Sequence, residues 1–177
     1  MKKLTLSFLF LIFFSLIFAC RKKTECPTQV LPDKSAINSV GFMINGKVWR
    51  ESPAVWYEVA VDAQYYNGVL GKKWLTISAT RDIENPCDTI NDQFVIFIKN
   101  LRKGEIKPFP LTTLTQWKDK IGKDHDYKVD STRSNKLEIT ELDTINRKLK
   151  ATFECYLYGV NKFDTLKISN GKIAVFW

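Results

Sequence analysis

Short runs in which apolar and polar residues alternate, divided by polar turns, recur from Val40 to Phe176, and this rhythm confines the chain to antiparallel β-structure. Val40 to Ile44 and Lys47 to Glu51 flank Asn45-Gly46, a dipeptide suited to the positive φ angles of a type I′ turn. From Val55 to Tyr66, Val55, Tyr57, Val59 and Val61 alternate with Trp56, Glu58, Ala60 and Asp62, which predicts a strand with one wet face. A turn around Asn67-Gly68 leads to its partner, Lys73 to Arg81, where Leu75, Ile77 and Ala79 alternate with Trp74, Thr76, Ser78 and Thr80. Gln93 to Lys99 differs, because Phe94-Val95-Ile96-Phe97-Ile98 is apolar on both faces and so reads as a central strand covered on both sides. Leu114, Trp117 and Ile121 fall on one helical face, so Leu111 to Ile121 is expected as a short covering helix stopped by Gly122.

Four strand-like segments close the chain: Leu137 to Leu142, Leu149 to Tyr158, Thr165 to Ser169 and Lys172 to Phe176. Asp143 to Asn146, Gly159 to Asp164 and Asn170-Gly171 separate them. Connections this short suit an antiparallel meander, since parallel crossovers need about a dozen residues. About nine strands at such spacing point to an all-β fold, an antiparallel β-sandwich in preference to an incomplete barrel.

The N-terminus has a different character. Lys2-Lys3 precede an almost continuous apolar run from Leu4 to Phe18, shorter than the roughly 20 residues of a membrane span. This is the pattern of a secretory signal. Leu16-Ile17-Phe18-Ala19-Cys20 resembles the lipobox of bacterial lipoproteins, with Phe18 bulkier than the small residue usual there. The resemblance implies cleavage after Ala19 and acylation of Cys20, which would make membrane lipid the first partner. The expected organisation is a signal over 1–19, the lipidated Cys20 and a flexible tether over 20–38, and a single all-β domain over 39–177. Removing the first 19 of 177 residues, with their two lysines, takes the formal charge from +8 to +6.

Three cysteines remain beyond the anchor. Cys155 shares a strand face with Phe153 and Leu157 and reads as a buried, inert thiol. Cys26 and Cys87 lie in polar, Pro-containing stretches and form the candidate disulfide of an oxidising compartment. Their spacing matches no zinc site.

Catalytic motifs are missing. The sequence contains no glycine-rich phosphate loop, dinucleotide fingerprint, nucleophile elbow or cysteine-rich metal cluster, so it implies no catalytic residues, cofactor or metal. The only histidine, His125, is expected in an exposed charged loop. Asp124, Asp126 and Asp130 are spaced somewhat like calcium ligands, but the glycine and closing glutamate of such a loop are absent.

Aromatic residues carry more functional information. Trp56-Tyr57 and Tyr65-Tyr66 are adjacent within one expected strand, so one member of each pair points outward. Trp56, Tyr66 and Trp74 are therefore candidate ligand-binding aromatics for a glycan or an envelope protein. The basic residues form two groups, Arg21-Lys22-Lys23 beside the expected lipid and Lys99, Arg102, Lys103 and Lys107 in one loop. An exported, tethered chain is a poor candidate for nucleic acid despite its basicity, and anionic head groups are the nearer partner.

The chain also resembles a family of small, functionally unassigned lipoproteins of Bacteroidetes. The resemblance rests on Phe42…Ile44-Asn45-Gly46-Lys47-Val48-Trp49, on Leu137-Glu138-Ile139-Thr140-Glu141-Leu142-Asp143 with Lys150-Ala151-Thr152-Phe153-Glu154-Cys155, and on Leu166 to Lys172. It spans most of residues 40 to 176 and implies an all-β extracytoplasmic domain, but it carries no catalytic residues over. Surface-exported lipoproteins of that phylum typically carry acidic residues after the acylated cysteine. Arg21-Lys22-Lys23 departs from this and implies a domain facing the periplasm from the outer membrane, with the cell surface as the alternative. The expected function is non-enzymatic binding of a ligand or partner at the envelope. An assembly accessory of an envelope complex and a glycan-acting hydrolase are the alternatives.

Overall fold

The computed structural model describes residues 38–52, 59–67, 73–85, 88–118, 123–161 and 164–177. Eleven strands lie there: β1 (Ser39–Ile44), β2 (Lys47–Arg50), β3 (Val61–Asn67), β4 (Lys73–Asn85), β5 (Asp88–Lys99), β6 (Gly104–Glu105), β7 (Leu111–Lys118), β8 (Lys123–Val129), β9 (Lys136–Asp143), β10 (Lys148–Gly159) and β11 (Thr165–Phe176). They form one antiparallel sheet in the order β2-β1-β11-β10-β8-β7-β5-β4-β3, with β9 added to β10 and β6 to β9. The sheet forks at β10, whose residues 148–154 pair with β9 and 157–159 with β8 along the edge opposite β11.

The sheet curls into a half-barrel, so the all-β expectation holds, with the architecture of an incomplete barrel. Its ends approach where Ser52, just past β2, bridges Arg81 of β4. Tyr65 of β3 also meets Trp177 at 6.0 Å between ring centroids. The concave face holds the core. Phe42 stacks on Trp49 at 4.5 Å and leans on Phe94 at 4.8 Å, and Phe94 stacks on Phe153 at 5.5 Å. Leu75, Ile77, Ile96, Ile98, Leu114, Leu149 and Leu157, all fully buried, extend this cluster round the curl. Stacked and tilted rings of this kind add about 0.5–1.5 kcal/mol per pair beyond the apolar area they bury.

Several local expectations are corrected. Leu111 to Lys118 is strand β7, not a helix, and among the described residues there is no helix at all. Thr112, Thr113 and Thr115 are β-branched and favour extended backbone. Leu114 sits opposite Phe94 of β5, whose other edge would otherwise be bare. Trp117 belongs to this strand, and Ile121 lies outside the described residues. Without a covering helix, the outer side of β5 keeps Val95 and Phe97 half-exposed rather than sealed.

Asn170-Gly171 is not a turn either. Residues 165–176 form one strand, and the two residues belong to a bulge read by both neighbours. On β10 the register steps from Phe153↔Gly171 to Cys155↔Ile168, and on β1 from Gly41↔Lys172 to Met43↔Ser169. Asn170 takes φ 53°, the left-handed conformation asparagine tolerates. The Asn45-Gly46 turn is present as expected, with φ 48° and 82°. The strand expected from Val55 starts at Val61 in the described residues, and 53–58 lie outside them. His125 lies in β8 opposite Gln116, half-buried, rather than in an exposed loop.

Candidate functional site

The convex face of β3, β4 and β5 carries an aromatic row. Register places Tyr66 opposite Trp74 and Trp74 opposite Lys99, so these three side chains share the outward face. Tyr66 and Trp74 stack at 5.6 Å between centroids, and Trp74 and Phe97 at 6.2 Å. The Tyr66 hydroxyl donates to Gln64 Oε1, and Gln64 Nε2 donates to Asp62 Oδ2 at 2.6 Å, so a polar chain along β3 borders the row. Of the three aromatics marked in the sequence, Tyr66 and Trp74 come together, while Trp56 lies outside the described residues. Phe97 was missed because its segment read as doubly covered. Its odd place among Phe94, Ile96 and Ile98 was the available signal.

Beyond Phe97 the row runs into a groove of about 500 Å³ between the end of β5, the start of β7 and the loop joining them. Phe97, Ile106, Phe109 and Leu111 supply its apolar lining, and Lys99, Arg102 and Lys107 its charged edge. Leu111 sits opposite Phe97 in the β5–β7 ladder and is 61% exposed. The loop is pinned rather than loose. Asn100 N–H donates to the Lys73 carbonyl at 3.0 Å, β6 pairs with β9, and Ile106 N–H donates to the Leu137 carbonyl at 2.9 Å with its side chain buried. Gly104, at φ 100°, provides the backbone conformation the loop needs just where β6 begins. Lys107 pairs with Glu105 at 3.3 Å, an exposed contact of little energetic weight. Among the described residues Lys99 and Arg102 have no carboxylate within ion-pair distance.

The other polar features serve the scaffold. Asp92 is 2% exposed on the concave face, where its Oδ2 accepts from Trp49 Nε1 at 3.1 Å and Arg81 Nε at 3.2 Å and forms an ion pair with Arg81 Nη2. Three donors on one oxygen leave this carboxylate enclosed. Tyr127 donates to Asp164 Oδ2 at 3.1 Å, and burial, followed by that carboxylate, pushes the phenol up to about 12. Asp130 accepts from Thr132 N–H and Oγ1, bonds that hold its carboxyl below the ordinary range and commit it to its own turn. Asp126 accepts from Thr115 Oγ1 at 2.9 Å. Among the described residues no three histidine, cysteine or acidic side chains are grouped to hold a metal ion.

Cys155 is buried and unpaired on the concave face, and burial pushes its thiol up to about 12. Cys20, Cys26 and Cys87 lie outside the described residues. A thiolate is the reactive form, so Cys155 in the folded protein will resist iodoacetamide from pH 7 to pH 10, where a free thiol passes through its pKa. Denaturation will expose it to rapid labelling. Mass mapping of native alkylation at pH 9 checks this, and quantitative native labelling of Cys155 would contradict its burial.

Comparison of the chain with protein-family models, with curated proteins and with solved structures finds no match. What the site can do rests on its own geometry. An exposed aromatic row continuing into a pinned apolar groove edged by cations can hold a ligand by contact area and charge.

Proposed function

We propose that this protein is a lipid-anchored component of the bacterial cell envelope whose β-domain binds a ligand or partner without catalysis. The observation that carries the binding reading is the outward row Tyr66–Trp74–Phe97. Three large rings on a solvent-facing sheet surface present apolar area at low conformational cost, the property of glycan and protein recognition surfaces. The anchor is a reading of the N-terminal sequence: the apolar run from Leu4, Cys20 as the acylated residue, and Arg21-Lys22-Lys23 beside anionic head groups. Within this reading the domain stands in the periplasm, attached to the outer membrane, because Arg21-Lys22-Lys23 follows Cys20 where surface-exported lipoproteins carry acidic residues.

The test uses the full chain and a panel of envelope oligosaccharides, following tryptophan fluorescence and reducing-end release together. Binding without turnover is expected, and Trp74→Ala, half-exposed and outside the core, will weaken it about tenfold or more, as loss of a central aromatic contact does. Where the ligand is instead an envelope protein, a stoichiometric complex from solubilised membranes will show the same dependence on Trp74. Binding indifferent to Trp74→Ala and Tyr66→Ala removes the function from this face. Release of reducing ends makes the protein a hydrolase.

A further inference from the structure

We propose that the groove between β5, β7 and the 100–110 loop binds an anionic amphiphile, with an acyl chain against Phe97, Phe109 and Leu111 and a carboxylate or phosphate head at Lys99, Arg102 and Lys107. The inference rests on the reading that this face binds a ligand, and it supplies that ligand's chemistry.

Size, lining and charge each narrow the occupant. A volume of about 500 Å³ falls within the range of small-molecule sites. A bare inorganic anion would leave the apolar floor wet, and a neutral chain would leave the cations at the edge without a counter-charge. Lys99 and Arg102 have no carboxylate partner among the described residues, and the Lys107 pair with Glu105 is exposed enough to exchange at little cost. Arg102 adds the planar fork that grips carboxylate or phosphate with two parallel bonds. The site is also preformed. The β6–β9 pairing and the Ile106 N–H bond to Leu137 hold the loop against the barrel, so a ligand need not order it on arrival. Lys99 faces outward opposite Trp74, so the cationic end of the groove abuts the aromatic row.

The test titrates the full chain with dodecyl phosphate, dodecanoate and dodecyl maltoside, each below its micelle concentration, by calorimetry. One saturable site is expected for an anionic probe, at least about tenfold tighter than for the neutral maltoside, since charge-assisted bonds at the head are what separate them. Whether phosphate or carboxylate binds tighter identifies the head. The Lys99→Gln/Arg102→Gln double variant will abolish the preference for anionic heads. Leu111→Asp, at an exposed position where folding is not at stake, will abolish binding of all three probes. Equal affinity for the three heads overturns the proposal, and so does a charge preference that survives the double variant. Binding to anionic phosphatidylglycerol vesicles without binding of the monomeric probes also overturns it and assigns the face to a bilayer surface. In each of these failures a Trp74-dependent ligand of the aromatic row remains unaffected, so the broader reading is judged separately.

Discussion

Asp92→Ala will destabilise the fold by about 3–5 kcal/mol, the usual cost of leaving a buried charge without its partner, and so remove a large part of a typical domain's stability. Arg81 and Asp92 are register partners on β4 and β5, and both side chains point into the half-barrel, with 11% and 4% of their side-chain surfaces exposed. Truncating the carboxylate strands the guanidinium and also orphans the Trp49 indole N–H, which donates to the same oxygen. The Trp49 ring, 5.5 Å from the guanidinium carbon, offers a cation–π contact but not a counter-charge. Asp92→Asn keeps an acceptor for Trp49 while still stranding Arg81, and it will cost less than Asp92→Ala. Adding Arg81→Met to Asp92→Asn removes both charges and will recover most of the loss, because a buried ion pair often contributes little beyond its apolar replacement. Urea unfolding of the three variants measures this order. An Asp92→Ala midpoint equal to wild type would show that the pair is not sealed.

That pair also shows what sequence reasoning could and could not reach. Leu75, Ile77 and Ala79 define the inward positions of β4, and the next one is Arg81. Likewise Phe94, Ile96 and Ile98 define those of β5, and the preceding one is Asp92. Two opposite charges at inward positions of adjacent strands were visible in the text, but only the pairing register shows that they face each other. The Asn45-Gly46 hairpin was legible because its chemistry is local. The covering helix was misread because three apolar residues at helical spacing can equally be ordinary members of a strand. Tertiary pairing with β5 then decides the outcome.

The candidate binding face follows the same division. Tyr66 and Trp74 could be marked as outward-facing because the alternation of β3 and β4 is clean. Phe97 could not, because an apolar run on both faces does not say which face is covered. The groove depends on the loop between β5 and β7 being tied across to β9, a contact between residues 104 and 139 that no local pattern announces. Its cations were legible as a cluster, whereas the apolar floor beneath them was not.

Gly171→Ala will be as damaging as the loss of Asp92, for a steric reason. A Cβ at Gly171 would lie 2.5 Å from Phe153 Cδ1 and Cε1 and 2.6 Å from the Phe153 carbonyl oxygen. The ring is fully buried among Phe42 and Phe94, and the carbonyl belongs to the β10–β11 ladder, so neither can swing aside. Overpacking a core site costs about 1–3 kcal/mol when side chains can adjust. Here backbone is involved, so about 3 kcal/mol or more is expected. The position needs glycine because of the bulge beside it. Ile168 and Ile173 are five residues apart and both buried, which an unbroken two-residue alternation forbids. The bulge centred on Asn170 absorbs the odd residue and brings Gly171 beneath Phe153. Asn170→Gly is the informative control: Asn170 has φ 53°, which glycine adopts freely, so that variant will shift the urea midpoint little. If Asn170-Gly171 were instead a hairpin tip, Gly171→Ala would be mild and both variants would unfold near wild type.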